Sequence, residues 1–245
     1  MNRELRLTRA FVDLADTLSA HFDPLDLFDR LGGHCTDLLA VDAVGVVMAD
    51  ARGVLRFMAA SDDALGRLDL RQVEQDQGPA VDCFRTGEPV AAGDLRAGVR
   101  WPDYTEQALA AGYLCVHVVP LRLDGRPIGA VSLASRDRGG LPDADVAVAQ
   151  GMSDVVALSL AHWPADRKRP HDLLTSLQAA VSAKAAVELA KGLIAETEGI
   201  SLAEATERMR RYAEKDGRPL SAVARALADR SLSPADLVRP HLGAS

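Results

Sequence analysis

The sequence predicts an α+β domain, an antiparallel sheet flanked by helices, followed by an all-α module of three helices. Three observations lead there. Apolar runs near residues 43–60 and 113–135 are broken by short turn signals, the pattern of β-hairpins. Beyond residue 171 the text changes to three consecutive helical stripes. The charge also changes sign nearby: residues 167–245 hold 13 Lys/Arg against 10 Asp/Glu (+3), the first 166 hold 15 against 25 (−10), and the two sum to the chain's −7. A basic appendage on an acidic body suggests a small module that meets an anionic partner, most plausibly nucleic acid.

In chain order, Leu7, Phe11, Leu14 and Leu18 share one helical stripe, predicting a helix over 3–20. Asp23-Pro24 opens a second, carrying Leu27, Phe28, Leu31, Cys35 and Leu38. Runs at 43–49 and 54–60 around Asp50-Ala-Arg-Gly53 read as a hairpin. Helical text follows at 62–76 and 79–85, a brief strand at 89–92 and a helix at 103–111. Strands at 113–121 and 127–135 flank Asp124-Gly125, the strongest hairpin signal in the chain. After Gly139-Gly140 an apolar helix spans about 143–162.

Residues 163–171 (WPADRKRPH) hold two prolines and four Lys, Arg or Asp charges, marking a linker between domains at 1–162 and 172–230, with a tail at 231–245. The second domain opens on a long helix, 172–196, stopped by Gly199. Ser201-Leu-Ala-Glu204 forms a capping box for the next helix, which places Leu202, Ala205, Met209, Tyr212 and Ala213 on one face. Gly217 and Pro219 separate it from a third helix with Val223, Ala224 and Leu227 as contacts. So small a core predicts a homodimer through the long helices.

Composition narrows the function. Three cysteines, Cys35, Cys83 and Cys115, without a CxxC give neither a disulfide scaffold nor a zinc framework, and no metal site is expected; they fit the cytoplasm. Aromatics at 4% argue against base-stacking platforms. The N-terminal MNRELRLTRA reads as no signal peptide, and no apolar run nears the roughly 20 residues of a membrane helix.

The stretch Val187-Glu-Leu-Ala-Lys-Gly-Leu-Ile194 resembles the first helix of the ANTAR domain, the RNA-binding output module of bacterial transcription antiterminators. The Ser201–Glu204 cap, Arg210-Arg211-Tyr212-Ala213 and Ala222-Val-Ala224 continue the likeness over about 173–228, with Lys184 where Arg is expected. The first 165 residues resemble a GAF sensor domain of the kind actinobacteria fuse to ANTAR. Gly78-Pro79, Arg85-Thr-Gly-Glu-Pro-Val90, Arg100-Trp-Pro102 and Ile128-Gly-Ala130 carry that resemblance. Ala80 stands where many relatives have Cys, and an Asn-Lys-Phe-Asp-Glu motif is missing, so cyclic-nucleotide chemistry is not implied.

The resemblance implies a regulator that binds an RNA hairpin and prevents termination. Its candidate RNA contacts are Lys184, Lys191, Arg208, Arg210, Arg211, Lys215 and Arg218, with Arg225 in the same basic set. Arg208, Arg211 and Lys215 recur at i, i+3 and i+7, a ridge suited to phosphates; the alternative is a solvated face laced with Glu204, Glu207 and Glu214. Lys191, backed by Gly192, either contacts RNA or snorkels along a helix interface.

For a small-molecule ligand of the sensor, whose identity and cofactor remain open, the candidates are Trp101, Tyr104, Cys115 and His117. Trp101 is otherwise a core or lid residue, Cys83 and Cys115 small buried hydrophobes, and His117 an isolated strand residue. Two other functions are weighed: a free methionine sulfoxide reductase, since some GAF domains are such enzymes, and a protein-interaction adaptor. The lack of a close cysteine pair speaks against the first, so the chain is read as a non-enzyme.

Overall fold

The computed structural model describes residues 2–16, 23–98, 100–161 and 173–237, so the expected linker and most of the tail lie outside the described residues. The described residues form two compact units, the second beginning in earnest at Ala179.

The first unit is built on a five-stranded sheet of order β2-β1-β5-β4-β3. Its strands are β1 (Ala43–Ala49), β2 (Leu55–Ala60), β3 (Val90–Ala92), β4 (Cys115–Leu123) and β5 (Arg126–Ser135). Every neighbouring pair is antiparallel. All seven residues of β1 are buried, as a central strand covered on both faces requires. Asp124 (φ 48°) and Gly125 (φ 74°) both take positive φ, the conformation of a two-residue hairpin turn whose twist matches its strands.

Helices cover both faces. α3 (Asp63–Gln75), α4 (Pro79–Thr86) and α5 (Pro102–Ala110) lie on one; α1 (Arg3–Ala15), α2 (Pro24–Leu38) and α6 (Asp143–Ala161) form a layer on the other. That second layer is tied by Ser159 donating to the Leu14 carbonyl (2.8 Å), by Cys35 Sγ against Met152 Sδ (3.9 Å), and by His34 and Arg30 on Asp13 (2.7 and 3.2 Å). α6 averages apolar enough, by length and composition, to cross a membrane, a property that an uninterrupted-run criterion misses because Asp143, Asp145 and Asp154 break it. Its Met152, Val156, Ala157 and Leu160 are buried inside the unit.

Two expectations shift. α1 ends at Ala15 instead of residue 20, with Asp16 closing its last turn through an N–H to the Asp13 carbonyl; residues 17–22 lie outside the described set. Tyr113 precedes β4 instead of opening it, because its N–H bonds the Ala108 carbonyl (2.9 Å) and its hydroxyl the Asp62 carboxylate (2.7 Å).

The second unit holds α7 (Leu173–Glu198) from Ala179 onward, α8 (Leu202–Asp216) and α9 (Leu220–Ala228), then a 3-10 turn at Pro234–Leu237, within the expected tail. α7 buries Ala180, Ala183, Val187, Ala190 and Ile194, one stripe of alternating three- and four-residue steps. The capping box forms: Ser201 Oγ accepts from Glu204 N (3.2 Å) and the Glu204 carboxylate accepts from Ser201 N (3.0 Å). Met209, Val223, Ala224 and Leu227 complete the core.

Candidate nucleic-acid interface and sensor pocket

The basic residues of the second unit fall into two groups. On α7, Lys184 and Lys191 sit either side of Glu188, their ammonium groups at 2.9 and 3.1 Å from its carboxylate. Both lysine side chains are only about one-fifth exposed (22% and 21%), so their aliphatic stems lie along the helix surface. Partial burial raises the Glu188 carboxyl, but Lys184 and Lys191 outweigh it and hold the group below the ordinary value. On α8, Arg208 turns back to Glu198 at the end of α7 (3.6 Å). Arg211 pairs along its own helix with Glu207 (3.5 Å), and Arg218 with Asp216 (3.5 Å). Arg210, Arg211, Lys215, Arg218 and Arg225 are exposed.

The i, i+3, i+7 row therefore splits: Arg208 is engaged by α7, while Arg211 and Lys215 face water. α8 as a whole is neutral, its four bases (Arg208, Arg210, Arg211, Lys215) matched by four acids (Glu204, Glu207, Glu214, Asp216). Such surface pairs contribute roughly 0–1 kcal/mol each, which an incoming phosphate can outbid. Leu189 and Leu202 are exposed at 60% and 57%, and beyond the helix's own backbone and the two chain neighbours no described residue lies within 4 Å of where a Gly192 side chain would begin.

In the first unit the strand β3, the 3-10 turn Leu95–Ala97 and the start of α5 line a half-open cavity of about 240 Å³. Ala91, Ala92, Leu95 and Trp101 supply its apolar wall; Asp94, Arg100 and Thr105 its polar groups. Trp101 caps the N-terminus of α5 with Pro102 at the first helical position. Its indole N–H donates to Asp82 Oδ2 (2.9 Å), the same oxygen pairs with Arg100 (3.0 Å), and the Arg100 guanidinium lies over the indole at 4.8 Å. Asp82 on α4 thus fixes the cavity's aromatic wall.

The four sequence candidates are not gathered here. Trp101 lines the cavity, and Tyr104 is buried one turn along α5, its phenol raised well above its ordinary value by burial. Cys115 and His117 alternate with Val116 and Val118, which join the core under α3–α5, and so point to the opposite face. There Gly140 and Leu141 close on them; Leu141 N–H donates to His117 Nε2 (2.9 Å), and burial holds the imidazole below its ordinary value. All three cysteines are buried, and burial pushes the Cys35 and Cys83 thiols up to about 12.

The sequence reading missed Asp69, which is fully buried. Leu65, Leu68, Asp69 and Gln72 form the inward stripe of α3, and a carboxylate on an apolar stripe is the signal that marks it.

These features meet the comparisons with known proteins. The GAF domain model matches residues 23–161 and the ANTAR domain model residues 175–227. The chain belongs to the GAF domain family and carries a C-terminal ANTAR domain, the architecture of a transcription regulator with a sensing domain and an RNA-binding antitermination module. Among curated proteins nothing matches. Solved structures resemble the first unit. The GAF domain of a phosphoenolpyruvate-protein phosphotransferase from Coxiella burnetii is 15% identical over 66% of this chain and 96% of its own (TM-score 0.50). The corresponding Acinetobacter domain is 14% identical over 70% and 99% (TM-score 0.50). A free methionine-R-sulfoxide reductase from Neisseria meningitidis, in complex with its substrate, is 16% identical over 74% and 91% (TM-score 0.48). At these identities the likeness concerns the fold alone.

Proposed function

We propose that the protein is a signal-responsive antiterminator whose ANTAR helices bind an RNA hairpin and keep a terminator from forming, under the control of its GAF domain. The ANTAR match over 175–227 carries this reading. The exposed Arg210, Arg211 and Lys215, with Lys191 at the Gly192 gap, supply the phosphate contacts. The molecule acts in the cytoplasm as a homodimer through α7, whose exposed Leu189 sits on a helix apolar on more than one side. The input is a small molecule in the Trp101 cavity. The domain boundaries go with this reading: sensor 1–162, linker 163–171, ANTAR 172–230, tail 231–245. A protease cutting first inside 43–135 would refute that division.

The deciding measurement is filter binding of wild type, a Lys191→Glu/Arg210→Glu/Arg211→Glu triple variant and an Arg230→Glu control against a double-hairpin RNA at two salt concentrations. The triple variant loses binding while Arg230→Glu keeps it, and each lost phosphate contact flattens the log–log salt slope by about one. Equal affinity for all three proteins would remove the RNA surface. The adaptor reading, favoured by exposed Leu189 and Leu202, would then lead. For a reductase, thiols buried and pushed upward offer little thiolate, so free methionine sulfoxide should be left unreduced.

A further inference from the structure

We propose that Asp69 is a proton-binding site at the centre of the sensor core, and that its protonation state governs the start of α4 and the Trp101 wall, making the GAF domain responsive to acidity. The proposal deepens the sensor reading but stands apart from RNA binding.

The site is built by three elements. α3 brings Asp69 over the pair Gly45 and Ser132 of β1 and β5. Oδ1 accepts two hydrogen bonds, from Gln72 Nε2 (2.5 Å) and Ser132 Oγ (3.0 Å). Oδ2 is buried without a hydrogen-bond partner, in the space that Gly45 leaves by having no Cβ.

No cation faces it. β1 presents Ala43 and Val47, β5 Ala130 and Ala134, β4 Val116 and Val118, and Phe57 of β2 packs on Gly66 of α3. α4 offers the Cys83 thiol and α5 the Tyr104 phenol, both held neutral by burial, as is Tyr113. Among the described residues no Lys, Arg or His is buried as a whole; Arg122 of β4 has its Nε buried without a partner, but it acts on Cys83 and not on Asp69. An ionised carboxylate in such a place has lost its water and gained no counter-charge, so the neutral acid is favoured. Burial pushes the Asp69 carboxyl up to about 7, against the pull of the Ser132 and Gln72 hydrogen bonds.

The consequence reaches the cavity through Gln72. Its Nε2 serves Asp69 and its Oε1 accepts the Ala80 N–H at the first turn of α4 (2.8 Å). Gly78 packs so closely on Gln72 that a Cβ there would lie 2.5 Å from Oε1, so the loop cannot move independently of that side chain. Two residues past Ala80, Asp82 holds Trp101 and Arg100. When Asp69 loses its proton, the buried charge is relieved only by admitting water or shifting Gln72, and α4 follows.

The sign is set by a folded-state value raised above the ordinary 3.8. Stability from protonated Asp69 is complete below 3.8, falls as pH rises toward about 7, and is flat above.

The test uses the full-length protein with Trp163→Phe, leaving Trp101 as the sole tryptophan, and follows its emission from about pH 5 to 8.5, on either side of the expected midpoint. Emission should change sigmoidally with a midpoint of about 7. Asp69→Asn, a neutral isostere, should abolish the sigmoid and hold the low-pH spectrum throughout. Ser132→Ala removes a donor to the ionised form and should move the midpoint upward. A sigmoid that survives in Asp69→Asn, a flat wild type, or a downward shift in Ser132→Ala would overturn the proposal. Should Asp69→Asn not fold, the direction of the Ser132→Ala shift decides. None of these readouts involves RNA, so failure here and failure of the antiterminator reading are separate results.

Discussion

The two units bury their cores by opposite means. The GAF unit packs β-branched and large side chains on both faces of a sheet, and admits a polar cluster of Asp69, Gln72 and Ser132 at its centre. The ANTAR unit buries a stripe of small residues along α7, with Ile194, Met209 and Leu227 as fully buried aliphatic anchors, and keeps its charges outside in self-neutralising pairs. Chemistry in the first is therefore hidden and sensitive to one proton. In the second it is displayed, and screened by salt.

That contrast predicts graded responses. Ile194→Ala should have the largest effect, about 3 kcal/mol by chemical denaturation, because a three-helix core has few side chains to fill the cavity. A loss below about 1 kcal/mol would mean that the ANTAR core is not set by this stripe.

Next in size is Gly45→Ala, whose new Cβ overlaps Asp69 Oδ2; we expect a loss of about 2 kcal/mol. Gly192→Ala should instead gain about 0.5–1 kcal/mol, since its position on α7 is open. It should nevertheless weaken RNA binding if Gly192 admits a close backbone. Like signs for the two stabilities would erase the distinction between a packed glycine and an open one.

Ser201→Ala should cost about 1 kcal/mol through loss of the capping box, read as a lower melting temperature of the ANTAR unit. Smallest in stability, and most telling for function, is Glu188→Gln. It removes the negative charge between Lys184 and Lys191 and should tighten hairpin binding by about threefold at low salt, with little change in melting at neutral pH. Glu188 is held below its ordinary value of 4.5, so its contribution to stability is present above 4.5 and fades as pH falls below it. An unchanged or weaker affinity would place the α7 lysines outside the RNA surface.

Local signals were legible where physics is local. The Ser201–Glu204 cap, the Asp124-Gly125 turn and the Gly199 and Gly217 stops each act within a few residues, and each appears where its residues stand. The end of α1 was not, because Leu18 continues an apolar stripe that says nothing about where the backbone turns. The sensor site was half legible. Trp101 was marked by its type and its Arg and Pro neighbours, but its partner Asp82 lies 19 residues earlier on another helix.

By itself, the sequence determined the order of elements, the two-part division of charge and the membership of α7–α9 in one helical module, since periodicity, caps and net charge are additive along the chain. Only the tertiary structure decided that Cys115 and His117 face away from Trp101, that Arg208 turns back to Glu198, and that Asp69 lies over Gly45 with one oxygen unpartnered. Those are relations between residues 10 to 24 positions apart, and strand pairing and helix packing, not local preference, set what each one meets.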